Sequence, residues 1–172
     1  MKYLKKYEKY DASLDLNYIL DSEVYSDSDA IKLLEKVRYA IDNDCVIDDI
    51  NVHWLDRTPL IVCSISECHI NNKSSNYIHI YKQIAKELID AGANIDLVDH
   101  DGRSALIWAA SRKHFDVMEL LIEEGANWNI RDIYHYEFHE YLTNDESKKI
   151  MNKYPDKSEL YTTKKIANKF NL

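Results

Sequence analysis

Three groups of side chains are of the right types to do chemistry. His139-Glu140 opens like the helix motif of zinc proteases, where a second histidine one turn later completes the metal pair. Thr143 stands in that place, so the second ligand is missing. Cys63, Cys68 and His69 lie close in sequence, with Cys45 and His53 upstream. Three cysteines form an odd, sparse set, which reads as reduced thiols in a cytosolic compartment and not as a disulfide framework or a zinc site. The third group is aromatic and basic, and includes Trp54, Trp108, Tyr134 and Tyr136 with Arg57, Arg103 and Arg112. Those residue types concentrate binding energy at interfaces. With only 3 glycines there is no Gly-rich phosphate cradle, and no G-x-S-x-G elbow occurs. The expectation is a non-catalytic chain without cofactor or metal, whose work is recognition.

The elements that position these side chains follow from composition and pattern. The 172 residues are enough to bury a real core, and a 45% apolar content argues against wholesale disorder. Gly and Pro, at 3 and 2 residues, are too scarce for many tight hairpins, which favours helices. The formal net charge of −8 is uneven: residues 11–56 carry 12 acidic against 3 basic side chains, whereas 148–172 carry 7 lysines against Asp156 and Glu159. An acidic surface repels phosphate backbones, so direct nucleic-acid binding is not expected. The acidic N-terminal half would attract a partner with a basic surface, or is simply a solvated helical face. Met1–Tyr7 has no apolar stretch like that of a signal peptide, and no run is long enough to span a membrane.

Two segments align without a gap. Tyr81–Asp96 lies over His114–Asn129 at an offset of 33 residues. Ile84, Leu88 and Ile89, like Val117, Leu121 and Ile122, fall at helical spacing. Gly92 and Gly125 then follow as left-handed helix ends. Asp99–Ala110 reads D-H-D-G-R-S-A-L-I-W-A-A. It resembles the turn and first helix of the ankyrin repeat, usually D-x-x-G-x-T-P-L-H-x-A-A, and the offset is the ankyrin period. Ser104 stands for Thr, Ala105 for Pro, Ile107 for His, and Lys113 where the family usually has Gly. Thr58-Pro59-Leu60 is the T-P-L element of a preceding unit, in which Ile61 again replaces His. From Thr58 to Ile84 is 26 residues, against 13 from Ser104 to Val117, so that unit carries an insertion near 67–79. The composition, rich in Lys, Asn, Ile and Tyr, resembles that of ankyrin proteins from AT-rich viruses, phages or intracellular bacteria.

The resemblance implies an all-α ankyrin solenoid of about three to four helix–turn–helix units with helical caps. Residues 1–49 would form N-terminal capping helices, 50–132 the best-defined repeats, and 133–172 C-terminal capping helices. Ala30–Asp42 is an amphipathic helix, and a shorter one is expected within Leu14–Tyr25. In the last unit either Phe138 or His139 takes the core position, and Glu146–Lys153 and Leu160–Phe170 read as a capping pair split by Pro155. The family's concave face of loop tips and first helices would present Trp54, Leu55 and Arg57 from one unit. It would present His100, Asp101, Arg103, Trp108 and Arg112 from the next, and Tyr134 and Tyr136 from the loop after it. Trp108 is expected to point outward, with core burial as the alternative, and Trp128 inward. The function implied is a protein-binding module, an adaptor or inhibitor of a host or cellular protein in the cytoplasm. Two other readings stay open: an acidic mimic of nucleic acid that blocks a basic groove, and a self-associating structural protein.

Overall fold

Polar caps and prolines start the helices, and glycines end them. Thr58 Oγ1 accepts from the N–H of Ile61 at 3.3 Å, and Pro59, which has no N–H to satisfy, is the first helical residue. Ser104 Oγ accepts from the N–H of Ile107 at 3.4 Å. Thr143 and Glu146 exchange caps: Thr143 Oγ1 accepts from Glu146 N at 3.3 Å, and Glu146 Oε2 from Thr143 N at 2.8 Å. Gly92 and Gly125 follow helix ends at φ of 97° and 95°. Lys113 takes the same left-handed conformation at φ 61° without being glycine.

The computed structural model describes residues 16–20, 27–43, 45–48, 56–65 and 79–170. Within them the helices are α1 (Leu16–Leu20), α2 (Asp27–Asp42), α3 (Pro59–Ile65), α4 (Ile80–Asp90), α5 (Ala105–Arg112), α6 (Phe115–Glu123), α7 (Asn144–Lys153) and α8 (Pro155–Phe170). A single 3-10 turn, Phe138–Tyr141, precedes α7. Trp54, Leu55, Cys68, His69 and all of the expected insertion except His79 lie outside the described residues.

These elements form two rows. Helices α1, α3, α5 and the 3-10 turn stack side by side as one row; α2, α4 and α6 form the other. Each pair, α1–α2, α3–α4 and α5–α6, is a hairpin joining the rows. This is an all-α repeat solenoid. Between the rows lie Leu60, Ile61, Ile84, Leu88, Leu106, Ile107, Met118, Leu121 and Phe138, all fully buried. Ile61 and Ile107, where the family pattern has a polar His, fill their places with apolar bulk worth about 1.5–3 kcal/mol each.

Loops tie neighbouring units together. Asp48 accepts from the N–H of Asn94 through both carboxylate oxygens, at 3.1 and 3.0 Å, and Asp96 accepts from the N–H of Asn127 at 2.9 Å. Across the outer row run Arg38–Glu87 at 2.6 Å and Lys153–Glu119 at 2.7 Å, exposed pairs that contribute little individually.

At the C-terminal end Phe138 is the core residue and His139 is only partly covered. Phe138 meets Trp128 edge-on at 5.2 Å between ring centroids, and Trp128 is buried. The first helix of this last unit is a single 3-10 turn, capped by Glu137, which stands one period after Ser104. Pro155 does more than split the caps, because α8 begins on it. Tyr161 of α8, not its exposed neighbour Leu160, packs on Trp128 at 6.0 Å and closes the end of the stack.

Candidate protein-binding face

Two reverse turns, 99–103 and 132–136, project from the solenoid, and each is organised by a buried aspartate. Asp99 Oδ1 accepts from the N–H of Asp101 and of Arg103, both at 3.0 Å. Asp132 Oδ1 accepts from the N–H of Tyr134 at 2.9 Å and of Tyr136 at 3.0 Å. The second carboxylate oxygen of each takes an aromatic donor nine residues on: Trp108 Nε1 donates to Asp99 Oδ2 at 2.7 Å, and the Tyr141 hydroxyl donates to Asp132 Oδ2. The turns also touch one another, since Ile133 N donates to the carbonyl of Asp101 at 2.9 Å. Their approach is close at Gly102, φ 70°, where a Cβ would meet the backbone of Arg131, Asp132 and Ile133 at 3.4 Å. His135, one period later, adopts φ 66° on the last turn.

Arginines link one turn to the next. Arg57 stands 3.9 Å from Asp99, and Arg103 Nε lies 3.4 Å from Asp132 Oδ2 with its Nη2 3.3 Å from the Tyr141 hydroxyl. The same guanidinium groups stack on rings: Arg57 and Arg103 lie 5.0 and 4.8 Å from the Trp108 centroid, and Arg103 lies 5.5 Å from that of Tyr141. Arg112 adds a third cation at 5.7 Å from Trp108. Tyr141 in turn meets Tyr136 edge-on at 6.0 Å. The result is an alternating ladder, Arg57–Trp108–Arg103–Tyr141–Tyr136. Burial pushes the Asp132 carboxyl up, but the hydrogen bonds from Tyr141, the two turn N–H groups and Arg103 outweigh it and leave it below its usual range. Burial and then the Asp132 carboxylate push the Tyr141 phenol up to about 12.

The structure sorts the expected site residues into two kinds. Trp108 is not part of an exposed row: it is 6% exposed, because Asp99 claims its indole N–H and guanidinium groups crowd its ring. Arg57 and Arg103 are likewise largely covered. His100 and Arg112 are exposed, and Asp101 is half-buried. Tyr134 and Tyr136 are 61% and 50% exposed, and Ile133, missed in the sequence, joins them at 55%. The 33-residue period carries the missed signal, for it lays Asp132 on Asp99 and Tyr141 on Trp108.

Glu137, His139 and Glu140 also converge, with potential metal-ligand atoms within 4.8 Å of one another. Glu137 Oε1 already accepts from Arg131 at 2.9 and 2.8 Å, its Oε2 accepts from the Tyr161 hydroxyl, and Glu140 Oε2 accepts from the N–H of Glu137 at 2.8 Å. These contacts cap the 3-10 turn and moor α8. Cys63 is a free thiol sealed in the core, where burial pushes its pKa up and leaves it unreactive.

Paired helices, a 33-residue period and buried turn aspartates define a protein built of stacked helix–turn–helix repeats. Residues 74–132 match the family described as Ankyrin repeats (3 copies), so that this part of the chain carries ankyrin repeats. It is 46% identical over 46 residues to the acyl-CoA-binding domain-containing protein 6 homolog of Dictyostelium discoideum, a match covering 27% of this chain and 16% of that protein. It is 32% identical over 72 residues to human transient receptor potential cation channel subfamily A member 1, covering 42% of this chain and 6% of the channel. Mouse inversin is 34% identical over 77 residues, which are 45% of this chain and 6% of inversin. The chain therefore spans only a small part of each of these relatives. Ankyrin repeats are generally protein-interaction modules and typically non-catalytic.

Proposed function

We propose that this chain acts by binding another protein, as an adaptor or inhibitor, through its projecting turns. One observation carries the reading: Ile133, Tyr134 and Tyr136 stand at least half exposed on a turn whose backbone is fixed by Asp132. Exposed aromatics on a rigid turn lose little entropy on binding and bury large area, which is how a small surface gains affinity. Arg112, His100 and Asp101 supply polar contacts at its border, where they orient a partner more than they hold it. A partner with a basic surface would instead meet the acidic N-terminal half, many of whose carboxylates lie outside the described residues. The partner is a cellular or host protein met in the cytoplasm.

The test is affinity capture from extracts of the source cell or its host, comparing the wild type with Tyr134→Ser/Tyr136→Ser. The expected result is loss of a specific captured protein while the urea midpoint stays unchanged. Retention of every captured protein by the double variant refutes this assignment of the face.

A further inference from the structure

Turn 132–136 repeats turn 99–103 bond for bond, except on the side where the array stops. In both, the N–H of the first residue donates to the carbonyl of the fifth, Asp99 to Arg103 and Asp132 to Tyr136, each at 3.1 Å. In both, the fourth residue donates back to the aspartate carbonyl, Gly102 at 2.9 Å and His135 at 2.8 Å. The middle carbonyl differs. That of Asp101 accepts from Ile133 N at 2.9 Å and so joins one turn to the next. Its equivalent one period later, the carbonyl of Tyr134, meets no donor among the described residues, and neither do those of Ile133 and His135. The donors of the same turn are exhausted. Every N–H from Asp132 to Glu137 is engaged: that of Ile133 by Asp101, those of Tyr134 and Tyr136 by the Asp132 carboxylate, and that of Glu137 by Glu140. The last turn therefore presents backbone acceptors without donors, beside the side chains of Ile133, Tyr134 and Tyr136, which are at least half exposed.

We infer that the Tyr134 carbonyl is where an extended segment of the partner protein pairs, donating a backbone N–H and laying apolar side chains against Ile133, Tyr134 and Tyr136. This rests on the protein-binding reading and supplies its mode. The partner takes up, beside the last turn, the place that the last turn takes beside the one before it. The array itself shows the geometry of that place: the backbone of 131–133 passes 3.4 Å from where a Gly102 Cβ would stand, while Ile133 N reaches Asp101. An extended segment suits it, because its edge offers N–H groups at every second residue with side chains above and below. A second copy of this chain does not suit it through the same turn, since two edges made only of acceptors cannot pair. At His135 a side chain stands where Gly102 leaves room, so its exposed ring must turn aside for the incoming backbone. His135 thereby sets how closely the segment approaches.

The probe is a short peptide alternating valine and threonine, acetylated and amidated at its ends, titrated to millimolar concentration into the full isotope-labelled chain. Nuclear magnetic resonance reads the carbonyl carbon of Tyr134, which shifts when its oxygen accepts a hydrogen bond. That carbon should move as the peptide binds. The same peptide N-methylated at every residue should bind about fivefold to tenfold more weakly, through the loss of one net hydrogen bond. His135→Gly should tighten binding of the unmethylated peptide. Equal binding of the two peptides, a Tyr134 carbonyl that stays still at saturation, or failure of His135→Gly to tighten binding overturns the inference. So does a Tyr134 carbonyl that shifts on concentrating the chain alone, which would make a second copy the occupant. Should no peptide bind while Tyr134→Ser/Tyr136→Ser still abolishes capture of a cellular partner, the backbone pairing falls and the broader reading stands.

Discussion

Replacing Trp108 by alanine separates scaffold from surface. The ring is 6% exposed and its N–H is the 2.7 Å donor to Asp99 Oδ2. Truncating a buried tryptophan costs about 3–5 kcal/mol in packing and cavity terms. Leaving the Asp99 oxygen without its donor adds about 1–3 kcal/mol, and the losses overlap because both follow from one cavity. A net cost of about 4 kcal/mol or more is a large share of the roughly 5–15 kcal/mol that holds a domain of this size. Trp108→Phe keeps a ring for the arginines and deletes only the donor and part of the area, so it should cost about 1–3 kcal/mol. Tyr134→Ser, on an exposed side chain, should stay within about 0.5 kcal/mol of wild type. Urea denaturation followed by far-ultraviolet circular dichroism ranks the three. If Trp108→Ala unfolds at the same urea concentration as Tyr134→Ser, the indole is a surface residue and the ladder argument is wrong.

Gly102→Ala should cost about 1–2 kcal/mol from the left-handed backbone alone, with a further penalty from the 3.4 Å approach to the next turn, whereas His135→Gly, relieving the same backbone on an uncrowded turn, should stabilise by up to about 1 kcal/mol; thermal melts decide both signs. Glu146, held by Lys113 and the Thr143 N–H, has its pKa lowered from 4.5 to about 2, so its contribution is whole above pH 4.5 and lost as pH falls toward 2. The midpoint difference between wild type and Glu146→Gln should therefore shrink across that window, and a difference constant from pH 6 to 2 would refute the coupling. Tyr141, raised from 10.0 to about 12, contributes fully below pH 10 and fades as pH rises to 12, so Tyr141→Phe should flatten the alkaline limb of the stability profile. Tyr161→Ala should uncover Trp128, seen as increased acrylamide quenching and faster amide exchange in α7 and α8; unchanged quenching would mean that α8 is not the lid of the stack.

Local chemistry made much of the fold legible. Thr58-Pro59, Ser104, Gly92 and Gly125 mark helix ends by rules that operate within four residues, and each marks one in the structure. The inward Trp128 was readable for the same reason, because its loop position repeats at a fixed distance from Gly125. What composition could not decide was the direction of Trp108. Exposure there depends on Asp99 and on arginines from two separate turns, and such convergence is a tertiary fact. The choice between Phe138 and His139 likewise turned on Trp128, whose ring meets Phe138 edge-on, and on Tyr161 of α8, whose ring packs against Trp128 and His139. Tyr136 was legible as a surface residue because its environment is its own turn and little else.

The position of the last turn explains why its aromatics remain available. In the array each arginine that precedes a first helix, Arg57 or Arg103, reaches forward to the aspartate and aromatic ring of the following unit. One period after Arg103 stands Tyr136, and one period after Asp132 stands Lys165. An arginine at 136 would have no carboxylate ahead of it at the repeating position, so the ladder has no use for one there. The turn keeps the aspartate that shapes it, because Asp132 N–H bonds are internal to the turn, but it loses the element that would cover its outer side. Tyr134, Tyr136 and Ile133 are thus held as firmly as scaffold residues while remaining as open as surface ones. Rigidity with exposure is costly to arrange within a core and comes directly from ending a repeat array. For that reason the proposed binding face is the terminal turn and not the buried tryptophan one unit earlier.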